Sequence, residues 1–180
     1  MSIRAEITAR IAEGRLTALI PLMPRSPLAR EIFTTPAAAG AIDGPWATQA
    51  IERLCGQARA RLESFVQGDV IVARMPPSRN VHTLIALLDP LTDNVWEFRI
   101  GSPRPGIRIF GRFAQRDTFI AINWIARGDL LDPTSGKDDL RRWRDQIIRC
   151  KREWANLFPA YPPLNGNTIH DYISNSRTPI

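Results

Sequence analysis

Five arginines, Arg99, Arg104, Arg108, Arg112 and Arg116, crowd the segment between residues 95 and 116 against a single acidic residue, Glu97. Phosphates suit such a cluster, because the planar fork of arginine makes two charge-assisted hydrogen bonds to paired oxygens while a nearby ring stacks a splayed base. A second basic run, Arg141, Arg142, Arg144, Arg149, Lys151 and Arg152, stands against Asp145 and Glu153. Its ordinary explanation is a solvated helix face. Imidazole chemistry is confined to two histidines, His82 and His170, for which packing or a surface position is the simpler use. Cys55 and Cys150 have no CxxC spacing and read as buried free thiols. Phosphate-binding loops, dinucleotide fingerprints, HExxH, GxSxG and Cys/His clusters of zinc spacing are all missing from the sequence, so no cofactor or metal is expected.

The arginines act together only if the chain's elements bring them together. After Gly68 the apolar period changes from about 3.6 to 2, and five β-rich runs follow: Asp69–Met75, Val81–Leu88, Asn94–Ile100, Gly106–Phe113 and Thr118–Ile125. Turn signals separate them at Pro76-Pro77-Ser78, Asp89-Pro90, Gly101–Gly106 and Gln115–Asp117. Connections this short favour antiparallel neighbours, so a meander of about five strands is expected. Alternation sends Trp96, Phe98, Ile100, Ile107, Ile109 and Phe113 to one face, and Glu97, Arg99, Arg108, Phe110 and Arg112 to the other. Two outcomes are open: an exposed basic surface, or an ordinary cross-strand pair in which Glu97 neutralises an arginine.

An apolar stripe of Ile51, Leu54, Ala58, Leu62 and Phe65 predicts a helix over 46–67, opened near Pro45 and stopped by Gly68. The seam Leu140, Trp143, Ile147, Cys150, Trp154 and Leu157 predicts a long helix over 136–158, capped by Ser135 with Asp138 three residues on, its tryptophans packed as core. The fold class is therefore α+β, a sheet packed by a preceding and a following helix. Ile3, Ile7 and Ile11, with Glu6 four residues before Arg10, mark a first helix, and the proline-rich stretch to residue 45 is expected as a surface arm. The expected organisation is an arm over 1–45, a core domain over 46–158 and an extended tail over 159–180, docked by Tyr161 and Ile173.

The 180-residue length suits one domain, and 44% hydrophobic with 23% charged residues is ordinary for a folded protein, excluding collagen-like, disordered and disulfide-scaffold classes. The net charge of +6 is spread evenly, and 22 arginines to 2 lysines reflects codon bias before function. A secretory signal fits the first residues poorly and no run reaches membrane-span length, so a cytoplasmic bacterial protein without membrane contact is expected.

The run Val95-Trp-Glu-Phe-Arg99-Ile, the turn, Gly106-Ile-Arg108-Ile-Phe-Gly-Arg-Phe113 and Asp117-Thr-Phe-Ile-Ala-Ile-Asn123 resembles the central strands of the RelE/ParE toxin superfamily, in its HigB-like, phage-derived branch. The resemblance spans about 30 of the 180 residues. It implies an RNA-directed toxin-like domain, an endoribonuclease acting freely or on the ribosome, restrained by an antitoxin-like protein. Arg99 and Arg108 match the strand arginines, with Arg108 expected at the scissile phosphate. The substrate's 2′-hydroxyl would be the nucleophile, with His82, His170 and Tyr172 as candidates for proton transfer and Arg104, Arg112, Arg142, Arg149 and Lys151 as RNA contacts. The chain departs from the pattern after the last strand: Asn123-Trp-Ile-Ala-Arg127 holds one arginine where relatives carry paired lysines, and the flanking segments are additions. A non-catalytic interaction or accessory protein on the same scaffold is the alternative.

Overall fold

The computed structural model describes residues 2–43, 45–46, 48–76 and 82–178. Its helices are α1 (Ile3–Ala12), α2 (Pro36–Ala39), α3 (Gln49–Gln67), α4 (Leu140–Leu157) and α5 (Ile169–Tyr172). Its strands are β1 (Thr17–Ala18), β2 (Glu31–Thr34), β3 (Ile71–Arg74), β4 (Ile85–Leu87), β5 (Trp96–Ile100), β6 (Ile107–Gln115), β7 (Thr118–Ala126) and β8 (Ser176–Arg177). All eight strands join one sheet in the order β1-β2-β7-β6-β5-β4-β3-β8.

The α+β class holds, but the sheet is mixed and larger than a five-stranded meander. Antiparallel pairing runs through β4, β5, β6 and β7 as their tight connections require, whereas β3 pairs parallel to β4. The predicted turn residues Pro77-Ser78 and the start of the second run at Val81 lie outside the described residues. The expected surface arm instead supplies β2, which lies parallel to β7, with Ile32 opposite Phe119 and Phe33 opposite Ile120. The tail is not wholly extended either: it forms α5 and then β8, parallel to β3. Both additions are non-local pairings of short segments, too brief to show a period.

Alternation places helices on both faces. Trp96, Phe98, Ile107, Ile109, Phe113 and Phe119 face α3 and Tyr172, while Phe110, Ile120 and Ile122 face α1 and α4. Aromatic edges interlock in the first core, with Trp96 and Phe113 at 5.4 Å and Phe65 and Phe98 at 5.3 Å between ring centroids.

Local chemistry sets the helix ends. Thr48, not Pro45, opens α3, its hydroxyl accepting from the Ile51 amide at 3.3 Å. Gly68 closes it at φ +90, and an added Cβ there would sit 2.6 Å from that of Ala29, so only glycine fits. α4 starts at Leu140 rather than 136, because Asp132 draws residues 134 and 135 into a turn through amide bonds of 2.9 and 2.7 Å, leaving Asp139 to cap the helix. That frees Asp138 for another use.

Arg30, 1% exposed, fastens the arm to the rest. Its guanidinium donates to the carbonyls of Phe65 (2.9 Å), Asp69 (3.0 Å) and Ser174 (2.6 Å), lies 3.4 Å from the Asp117 carboxylate and stacks 5.0 Å from the Phe65 ring. Burial pushes its pKa down, and Asp117 opposes that.

Candidate functional site

The register pairs Arg99 of β5 directly with Arg108 of β6 and Glu97 with Phe110, so the expected sharing of one face is met on the α4 side. Between these guanidinium groups lies Glu97, 2% exposed. Its carboxylate is 3.1 Å from Arg108 Nε and 3.3 Å from Arg99 Nε. Two like charges opposite each other on neighbouring strands repel, and a carboxylate between them offsets that repulsion. Neutralisation, the plainer of the two outcomes, is thus realised at the sheet surface, on two arginines at once.

Above this floor opens a cleft of about 410 Å³, bounded by Arg74 at the end of β3, Leu88 and Asp89 after β4, Arg127 after β7, Asp138 before α4, and Leu140, Trp143 and Ile147 on α4. Four arginines and three carboxylates line it, leaving one net positive charge. Arg108 Nη1 donates to the Ile107 carbonyl at 3.0 Å and Arg99 Nη1 to Thr83 Oγ1 at 3.2 Å. Arg127 reaches Asp138, lies 5.6 Å from the Trp143 ring, and Trp143 Nε1 donates to Asp138 at 3.1 Å. Glu97 Oε2, Arg99 Nε, Arg108 Nε and Arg127 Nη1 are buried without an aligned hydrogen bond. Glu97 Oε2, Arg99 Nε and Arg108 Nε are nonetheless held in the ion pairs just described, which leaves Arg127 Nη1 as the cleft donor without a partner among the described residues.

Electrostatics follow from depth. Burial pushes the Glu97 carboxyl above the usual carboxylate range, opposed by Arg108, then Arg99, Arg74 and Arg127. Burial likewise lowers Arg108 and Arg99, with Glu97 acting against it. A carboxyl held above its usual range is a stronger proton acceptor than an ordinary carboxylate, and the guanidinium pair beside it opposes that shift.

Other expected site residues lie elsewhere. Arg112 is 7% exposed beneath α4, where it donates to the Asp93 carbonyl and stacks 5.7 Å from the Trp154 ring, and it is not among the residues that line the cleft. Tyr172 is wholly buried on the opposite face, its hydroxyl bonded to Asn94 at 2.9 Å, which removes it from proton transfer in the cleft. His170 sits beside Ser176 at 3.3 Å on α5, and His82, exposed beside Thr83, does not line the cleft. Arg104 is exposed in the β5–β6 turn. Arg142 pairs with Asp139 at 3.3 Å and bonds the Asp129 carbonyl, Lys151 pairs with Asp93, and Arg149 faces solvent.

Sequence reasoning missed Arg74, Asp89 and Asp138 as cleft residues, and saw Trp143 only as core. Trp143 does pack on Phe110, at 5.7 Å, while its indole N–H serves the cleft. Both cysteines are buried and free, and among the described residues no cluster of metal-ligating side chains occurs. Among the described residues no helix is long and apolar enough to cross a membrane. No known protein family, characterised protein or solved structure matches this chain.

Proposed function

We propose that the chain is an RNA-directed, toxin-like protein that grips and cuts an RNA backbone in the cleft between the β5–β6 ribbon and the start of α4. The observation that carries the reading is the convergence of Arg74, Arg99, Arg108 and Arg127 on one cleft that holds three carboxylates, with Glu97 between Arg99 and Arg108 on its floor. In this mechanism Glu97 takes the proton of the 2′-hydroxyl, and the 2′-oxygen attacks the adjacent phosphorus. The bond from phosphorus to the 5′-oxygen breaks, that oxygen is protonated by water, and a 2′,3′-cyclic phosphate remains. Arg108 and Arg99 stabilise the charge that builds on the phosphoryl oxygens. Arg127 releases Asp138 to the solvent when a phosphate takes the carboxylate's place. Induced expression in a bacterium tests this: growth arrest relieved by Arg108→Ala is expected, and unchanged growth with intact messenger RNA overturns it.

A second reading, a protein-interaction role, is favoured by four apolar side chains between residues 20 and 28. Ile20, Leu22, Met23 and Leu28 are 66–74% exposed. Size-exclusion with light scattering on Leu22→Ser/Met23→Ser tests it, since deleting the arm would also remove β2; a monomer before and after, with no co-purifying protein, speaks against it.

A further inference from the structure

The outward face of α4 is the most strongly charged surface that the cleft does not use. The helix carries six basic residues against Asp145 and Glu153. Its apolar side, Ile147, Cys150, Trp154 and Leu157, is committed to the sheet, so this helix has no apolar face left to lay into a lipid surface. Among the described residues Arg141, Arg144, Arg149 and Arg152 make no ion pair, in contrast to Arg142 and Lys151.

Placement of the charge is unfavourable to the helix itself. The first turn holds Arg141 and Arg142 with no acidic residue, and the last turn holds no basic one, the reverse of what the helix dipole favours. Arg141 and Arg144, like Arg149 and Arg152, are also like-charged neighbours at i, i+3. Asp139 at the cap and Asp145 and Glu153, each four residues from Arg149, offset part of this repulsion, and the outer face still carries a surplus of positive charge. From Arg141 to Arg152 the track covers about 16 Å along the axis. The first turn of the same helix adjoins the cleft through Leu140 and Trp143, which line it.

We infer that the outer face of α4 is a polyanion track that holds the RNA strand leaving the cleft, with Arg141, Arg144, Arg149 and Arg152 on successive phosphates. This rests on the RNA-directed reading of the cleft, yet it is tested by binding alone. The probe is a 5′-labelled single-stranded RNA of mixed sequence, its affinity for the full chain followed by fluorescence anisotropy from low to high KCl. Each phosphate contact released lowers the slope of log K against log salt by about 0.7. Arg144→Ala/Arg149→Ala/Arg152→Ala is expected to flatten the slope by about 2 and to weaken binding roughly tenfold or more near physiological salt. Asp145→Arg, which replaces a negative charge on the same exposed face with a positive one, is expected to tighten binding and steepen the slope. Thermal melts of both variants verify the fold.

The two readings fail separately. Salt-steep binding lost in the triple variant upholds the track even if no RNA is ever cut. Cutting by the unaltered chain, with affinity and slope unchanged in the triple variant, overturns the track and leaves the cleft reading intact. A chain that ignores RNA but binds a polyglutamate peptide through these arginines overturns the track in favour of an acidic protein partner.

Discussion

Replacing Arg30 with Met tests how the N-terminal segment is held in the sheet. Met keeps much of the apolar volume but removes the donors to Phe65, Asp69 and Ser174 and the counter-charge to Asp117. An acceptor left unsatisfied in the interior costs about 1–3 kcal/mol, and breaking a buried ion pair about 3–5 kcal/mol. These losses overlap at one guanidinium, and the Asp69 and Ser174 contacts are only part-buried, so their sum is not reached. The expected destabilisation is about 3–5 kcal/mol, a large share of the roughly 5–15 kcal/mol that holds a domain folded. Urea unfolding followed by far-UV circular dichroism measures it as a lower midpoint at unchanged slope. Arg30→Lys should recover less than half of the loss, because a single ammonium cannot reach three carbonyls from different elements at once. A cost below about 1 kcal/mol for the Met variant would refute the assignment of Arg30 as the clamp joining β2, α3 and the tail.

Glu97→Gln is expected to lose RNA cleavage and also stability, because Arg99 and Arg108 then face each other without the carboxylate between them. Because burial raises the folded-state pKa of Glu97, its contribution to stability is full below the unfolded value of about 4.3 and is lost as pH rises through the folded one. The loss in the variant should therefore shrink as pH rises, and a variant as stable as the unaltered chain at every pH would contradict the bridging role of Glu97. Cleavage by the unaltered chain should climb with pH through an inflection above the ordinary carboxylate range. Arg112→Ala should cost about 2–3 kcal/mol through its lost bond to Asp93 and its place under Trp154, and leave the salt dependence of RNA binding unmoved. The Cys150 thiol, wholly buried and pushed up to about 12, should resist thiol reagents at pH 8 until the chain is unfolded.

The candidate site was legible wherever local pattern decides geometry. Alternation within two strands was enough to put Arg99 and Arg108 on one face if the register allowed it, and the register that sets them opposite each other is seen only in the folded ribbon. Glu97 was visible as a neutraliser, though not as a carboxylate serving both. At Gly111 an added Cβ would stand 2.1 Å from the Ile120 carbonyl. The register shifts beside it, and the irregularity carries Asn123 to the α4 side, where it meets Gln146 at 2.7 Å. No alternation rule exposes that shift. Arg74 and Asp138 reach the cleft through a parallel β3–β4 pair and through the Asp132 turn, features that depend on distant contacts. The parallel β2–β7 pair was hidden for the same reason: four residues between prolines carry no period, and their partner lies more than 80 residues away.

The most direct test of the cleft mechanism compares an RNA with the same strand carrying 2′-deoxy sugars, each incubated with the purified chain in a translation mixture with and without ribosomes. Cutting of the RNA alone, leaving 2′,3′-cyclic phosphate ends and abolished by Arg108→Ala, is the predicted result. Both strands surviving under all conditions, or both being cut alike, would contradict the account.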